Sequence, residues 1–217
     1  MIDLDIWIKN YLNAVDACFP ERAWFVGLQG SYGRGEATED SDIDMVVILD
    51  HVTEEDLIRY RRMLDTLPYR DRQCGFLSGR EEIFSWDPAD LFQLFFDTTP
   101  LRGSLEELRI LLDDSAVERA IKMGCCNIYH GCVHNMLYGR SENVLMGLYK
   151  AASFVVQAIC YRSTGVYVRR IPQLRKYLST AEREIVDTFL ELKRGGSVDL
   201  DEMSRRLFTW VGGRIRS

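Results

Sequence analysis

Gly30-Ser31 and Asp42-Ile43-Asp44, separated by ten residues and each attached to an apolar run, constrain this chain more than any other feature. The run Ala23–Leu28 is apolar and partly aromatic, which suits a buried strand. Gly30 follows as a turn residue that tolerates close backbone approach. Ser31 is expected to cap a short helix running through Ala37, whose first N–H groups then face outward as an anion site. A second strand is expected over Ile43–Leu49. Side chains two residues apart on a strand share a face, so Asp42 and Asp44 converge. Two hard carboxylates on one face suit Mg²⁺, which prefers oxygen ligands and is often completed by phosphates. A pair of such ions can activate an attacking hydroxyl and stabilise a leaving pyrophosphate. Arg34 adds positive charge beside the turn. An Asp-x-Asp pair alone is a common loop feature, and the preceding Gly-Ser together with a credible strand on each side makes it specific.

The rest of the composition bounds the function. At 217 residues the chain suits one large domain or two small ones. Its net charge of -6 argues against a dedicated nucleic-acid binder and fits a cationic small molecule better. No apolar run reads as long enough to span a bilayer, and the acidic N-terminal stretch lacks a signal-peptide layout, so a cytoplasmic location is expected. The six cysteines show no regular disulfide framework. Cys126, His130 and His134 are spaced in steps of four on one helical face. A zinc site there is weaker than the plain reading of a helix face with core and polar-rim residues.

The pattern of elements changes along the chain. Leu4–Phe19 has the spacing of an amphipathic helix, ended by Pro20. A helix is expected over Thr53–Leu67, with Thr53 or a neighbour as cap and Pro68 beyond it. Strands are expected at Cys74–Ser78 and, richest in aromatics, at Leu91–Phe96. From Asp113 onward the chain reads as helix: Ser115–Tyr138 with Ser115 as cap, Ser141–Arg162, Ala181–Leu192 and Asp199–Trp210. The expected fold class is α+β, a mixed sheet over residues 1–112 followed by a C-terminal helical bundle over 113–217.

The string Gly30-Ser31-Tyr32-Gly33-Arg34-Gly35-Glu36-Ala37, with Ser41-Asp42-Ile43-Asp44, resembles the signature of the DNA polymerase beta-like nucleotidyltransferase superfamily. Its aminoglycoside- and lincosamide-modifying branches and its minimal branch are the most similar. The resemblance implies Mg²⁺-dependent transfer of a nucleoside monophosphate, AMP or another, from a triphosphate such as ATP to an acceptor, with release of pyrophosphate. It assigns Gly30 and Ser31 to phosphate and Asp42 and Asp44 to metal. The helical half, including Leu148-Tyr149-Lys150-Ala151-Ala152, resembles the C-terminal domain of the antibiotic-modifying enzymes. That resemblance supports Lys150 as a phosphate-neutralising group, against the reading of a surface lysine with its stem buried.

The chain departs from the family at one point. The superfamily carries a third acidic residue on the strand after Asp-x-Asp, and here that strand reads Gln73-Cys74-Gly75-Phe76-Leu77-Ser78. Asp71 and Asp90 each just precede a strand and read as turn or cap residues. Asp97 is the preferred substitute, because alternation along a strand at 91–96 would put Gln93 and Asp97 on its polar face. Glu81 and Glu82 read as helix N-terminal charge, and Arg169, Arg170, Arg175 and Lys176 as a solvated basic stretch. The sequence therefore favours an enzyme acting on a hydroxyl of a small acceptor, possible antibiotic chemistry included. Its rivals are an antitoxin-like enzyme that modifies a protein and a nucleotide sensor without transfer. The acceptor itself is not legible.

Overall fold

The computed structural model describes residues 2–39 and 41–217. The chain divides into two compact units, Met1–Asp87 with Leu94–Ile110, and Pro88–Gln93 with Leu111–Ser217.

The first unit is built on a four-stranded mixed sheet. Its strands are β1 (Ala23–Leu28), β2 (Ile43–Leu49), β3 (Gln73–Gly79) and β4 (Thr99–Arg102), in the order β3-β2-β1-β4. β1 runs antiparallel to β2 and β4, whereas β2 and β3 are parallel. A parallel pair needs a crossover, and helix α3 (Glu54–Leu64) lies in it. Helix α1 (Leu4–Cys18) begins at Asp3, whose side chain accepts from the Ile6 N–H, and buries Trp7, Tyr11 and Val15 at steps of four. These three pack with Val26 and Leu28 of β1 and with Ile43, Met45, Val47 and Leu49 of β2. Alternation therefore turns Asp44, with Val46 and Ile48, to the opposite face of the sheet.

Two expectations over residues 30–97 need correction. Leu91–Phe96 is not a strand but part of helix α5 (Pro88–Asp97). A short apolar run fits either period. Here Pro88 takes the first helical position, and Leu91 and Leu94 are buried at helical spacing. The strand of that region comes later, at β4, an edge strand that accommodates Pro100. The short helix after the Gly-Ser turn, α2, spans Gly30–Arg34 rather than running to Ala37. Gly35, at φ +66°, ends it in a left-handed cap.

The second unit is helical. Its main elements are α6 (Asp114–His134), α7 (Glu142–Thr164), α8 (Thr180–Lys193) and α9 (Leu200–Arg216). Asp113, rather than Ser115, caps α6 by accepting from the Ala116 N–H at 2.9 Å. Ser141 and Asp199 cap α7 and α9. α6 packs against α7 and α9, and α7 against α8. Contrary to the sequence reading, α7 is long and apolar enough to cross a membrane, with a mean hydropathy of 1.5 in its best window. Half of that window is buried within the protein, and Leu145, Tyr149, Ala152 and Val156 are core residues, as expected of the central helix of a bundle.

Candidate active site

The site is assembled where β1 ends and β2 begins. Gln29 leaves β1, and its backbone N–H donates to the Asp44 carbonyl at 2.8 Å. Its side-chain amide donates to Thr98 Oγ1 at 2.8 Å. Gln29, not Ser31, is the residue before α2, and Ser31 sits in the first turn of that helix. Gly30 has φ +64°. A Cβ built on it would lie 1.7 Å from Asp44 Oδ2. The turn thus runs directly against the Asp44 carboxylate, in a conformation and a space that only glycine fits. Asp42 is the exposed residue just before β2, and Asp44 is partly buried as its second residue. Gly30 and Ser31 are partly exposed as well, so the junction opens to solvent.

The segment between turn and carboxylates is pinned. The Glu36 N–H donates to the Ser31 carbonyl at 2.8 Å, and the Thr38 N–H to Ser41 Oγ at 2.8 Å. Arg72 donates to the Glu39 carbonyl. Arg34 is 9% exposed and lies between two carboxylates, with Nε on Glu36 and Nη1 on Asp97, each at 3.3 Å. Asp97 ends α5 and is itself buried.

The sequence-derived residues thus separate into groups. Gly30, Ser31, Asp42 and Asp44 share one junction, and Arg34 and Asp97 form a buried ion pair beneath the same helix. Lys150 is exposed on α7 in the second unit. Asp71 is exposed in a single 3₁₀ turn, and Glu81 and Glu82 are exposed in the first turn of α4 (Arg80–Phe84). Asp90, exposed in the first turn of α5, lines a cavity of the second unit with Gln93. The Cys126, His130 and His134 face is solvent-exposed. Among the described residues, no three His, Cys, Asp or Glu side chains group as a metal site, so neither that trio nor Asp97 with Asp42 and Asp44 does so.

Sequence reasoning missed the supports of the site. Gln29, Thr98 and Thr99 tie α2 to the start of β4, with Thr99 Oγ1 donating to the Gly33 carbonyl at 3.2 Å. The one local signal was a polar residue, Gln29, closing an otherwise apolar strand. The strand after Asp-x-Asp places Cys74 in register with Asp44. Partners in a parallel ladder turn their side chains to the same face, so a thiol stands where the resemblance leads one to expect an acid.

A family model, the nucleotidyltransferase domain, matches residues 9–111. That part of the chain, a little under half of it, is similar to a nucleotidyltransferase domain. That span contains the whole Gly30–Asp44 junction and all four strands. Among solved structures, the spectinomycin adenyltransferase AAD(9) from Enterococcus faecialis, crystallised with ATP and spectinomycin, is similar over 98% of this chain and 99% of its own. The identity is 12% and the TM-score 0.63, a likeness of fold. A toxin–antitoxin complex with AMP-PNP is similar over 51% of this chain and 84% of its own, at 17% identity and a TM-score of 0.36. A nucleotidyltransferase-like protein from Exiguobacterium sibiricum covers 97% of this chain and 74% of its own, at 10% identity and a TM-score of 0.34. No curated protein matches the sequence.

Proposed function

We propose that this nucleotidyltransferase domain transfers a nucleoside monophosphate, AMP in the first instance, from the triphosphate to a hydroxyl of a small acceptor. The observation that carries the reading is the contact between the Gly30 backbone and the Asp44 carboxylate. It puts a turn suited to phosphate against an acid suited to a divalent cation. Asp42 and Asp44 form an all-oxygen donor pair, and that fits Mg²⁺, which is commonly held by one or two carboxylates with substrate phosphates completing its shell. When bound, such an ion neutralises phosphate charge and favours ionisation of the attacking hydroxyl.

The residues of the chain do the positioning. Gly30 lets the phosphates approach the backbone, and the Ser31 hydroxyl donates a hydrogen bond to a phosphate oxygen. Asp42 and Asp44 fix where the α-phosphate lies relative to the turn. Arg34 and Asp97 hold α2 in place from beneath, so Asp97 acts as a positioning residue through Arg34. Orientation of this kind accounts for much of the rate in a transfer that needs in-line attack. The ATP and spectinomycin held by the AAD(9) relative support ATP as the donor and an antibiotic-like hydroxyl compound as the acceptor class.

The test is pyrophosphate release with each of the four ribonucleoside triphosphates and Mg²⁺, across aminoglycosides, spectinomycin and lincosamides. Release that depends on one acceptor and disappears in Asp42→Asn is expected. Full activity in Asp42→Asn overturns the assignment. Triphosphate binding with no transfer to any acceptor, cell extract included, leaves a sensor in its place.

A further inference from the structure

The helical unit holds an apolar cavity with a single charged group in its wall. Its volume is about 300 Å³, and its wall comes from the start of α5 and from α6 and α7. Every residue of that wall belongs to the second unit. Small side chains leave the space open: Ala120 and Gly124 on α6, Ala151 and Ala158 on α7. The two helices already touch here, since a Cβ on Gly124 would lie 2.5 Å from Val155 Cγ2. They cannot move closer to fill the gap, although protein interiors are otherwise packed to the density of organic crystals. Phe92 is fixed in the wall, 3% exposed, with the rings of Tyr161 and Tyr167 edge-on at 5.3 and 5.7 Å between centroids.

The polar part of the wall is small and of one kind. Asp90 and Gln93, three residues apart, share a face of α5, and Asn127 joins them from α6. None of these three side chains hydrogen-bonds to another described residue. Among the described residues, no Lys, Arg or His lines the cavity. Arg119 and Lys122, near Ala120 and Met123 in sequence, line a different concavity with Arg162 and Arg214. The first turn of α5 favours the negative charge of Asp90, and its oxygens stay open to a ligand. A largely apolar hollow with a few polar groups is the usual form of a small-molecule site, and this volume lies at the compact end of the range.

We infer that this cavity between α5, α6 and α7 is a ligand site for a compact primary amine with an apolar body: the ammonium on Asp90, with the amides of Gln93 and Asn127 as further acceptors, and the body against Phe92 and the alanines. Asp90 is exposed, so the cation keeps part of its hydration while the body leaves water. The inference does not rest on the nucleotidyl-transfer reading, since none of these residues belongs to the Gly30–Asp44 junction.

The experiment is calorimetric titration of the full chain with 2-phenylethylamine and with its neutral counterpart 3-phenylpropan-1-ol, without nucleotide or metal. One saturable site per chain is expected, with the amine bound about three- to fivefold more tightly, the scale of an exposed ion pair. Asp90→Asn should remove that preference and leave the alcohol's affinity unchanged. Ala151→Leu, which puts a larger side chain into the cavity, should weaken both ligands by at least about tenfold. If Ala151→Leu fails to fold by circular dichroism, Ala120→Leu intrudes from α6 and the same loss is expected. Absence of saturable binding overturns the inference. So does an amine preference that is missing in the parent or survives Asp90→Asn, or undiminished binding in a folded, cavity-filled variant. The titration involves no triphosphate, so its failure is distinct from failure of the transfer reading.

Discussion

Arg34 Nη1 donates to Asp97 Oδ2 at 3.3 Å, joining residues 63 apart in sequence, with side chains 9% and 4% exposed. The bond links the helix that follows the Gly-Ser turn to the end of α5, immediately before β4. Asp97→Asn keeps the shape and removes the charge, and should cost about 2 kcal/mol in urea unfolding, the scale of a buried charged hydrogen bond. As a positioning residue, Asp97 acts on transfer by loosening α2. The expected signature is a raised KM for the triphosphate with an unshifted kcat pH profile, partly rescued by Asp97→Glu. Loss of the acidic limb of the kcat profile in Asp97→Asn would instead make this carboxylate a general base.

Gly30→Ala tests the turn itself. The added methyl would meet Asp44 Oδ2, and φ +64° disfavours any L side chain there. The left-handed conformation alone costs about 1–2 kcal/mol, and relieving the clash must displace either the turn or the carboxylate. Transfer should fall by about a hundredfold or more, since misplacement of reacting groups by about 1 Å has that effect. Gly213→Ala, where an added Cβ meets nothing, is the matched control and should leave transfer intact.

What was legible in the sequence was local. Gly30, Ser31, Asp42 and Asp44 lie within one turn and its flanking strands, and Trp7, Tyr11 and Val15 declare α1 by their four-residue steps. Leu91–Phe96 was misread because six mostly apolar residues satisfy both periods, although Pro88 carried a helix-start signal. β4 was invisible: it has four residues, contains Pro100, and exists through pairing with β1 more than seventy residues earlier. The Arg34–Asp97 pair and the register of Cys74 with Asp44 are tertiary facts of the same kind. No spacing rule reaches across such separations.

That register makes Cys74 a reporter. Cys74 and Cys126 are exposed. Cys125 and Cys132 are buried, and burial pushes their thiols up to about 11 and about 12. Iodoacetamide should therefore modify Cys74 and Cys126 in the native protein and spare Cys125 and Cys132 until unfolding. ATP with Mg²⁺ should slow alkylation of Cys74, beside Asp44, and leave Cys126 on α6 unaffected. Peptide mass spectrometry reads both sites at once. Equal protection of the two, or none at Cys74, would separate nucleotide binding from the Asp44 face.

Acid should unfold the first unit partly through Asp56. Its carboxylate is 5% exposed and receives both Nη groups of Arg22, at 2.8 and 3.0 Å, together with the Thr53 N–H and hydroxyl, each at 3.0 Å. The Arg22 bonds, with those of Thr53, hold Asp56 well below the usual 3.8, against the opposing effect of burial. Because the folded pKa is lower than the unfolded one, the group contributes its full stability above the unfolded value. That contribution is lost as pH falls below it toward the folded value. In Asp56→Asn this acid-sensitive contribution is absent, while Arg22 is left without its main partner. The variant should be about 3 kcal/mol less stable at pH 7, the cost of breaking a buried pair. Its urea midpoint should also fall less steeply than that of the parent between about pH 4 and pH 2. Parallel curves for the two proteins over that range would place the acid transition in other carboxylates.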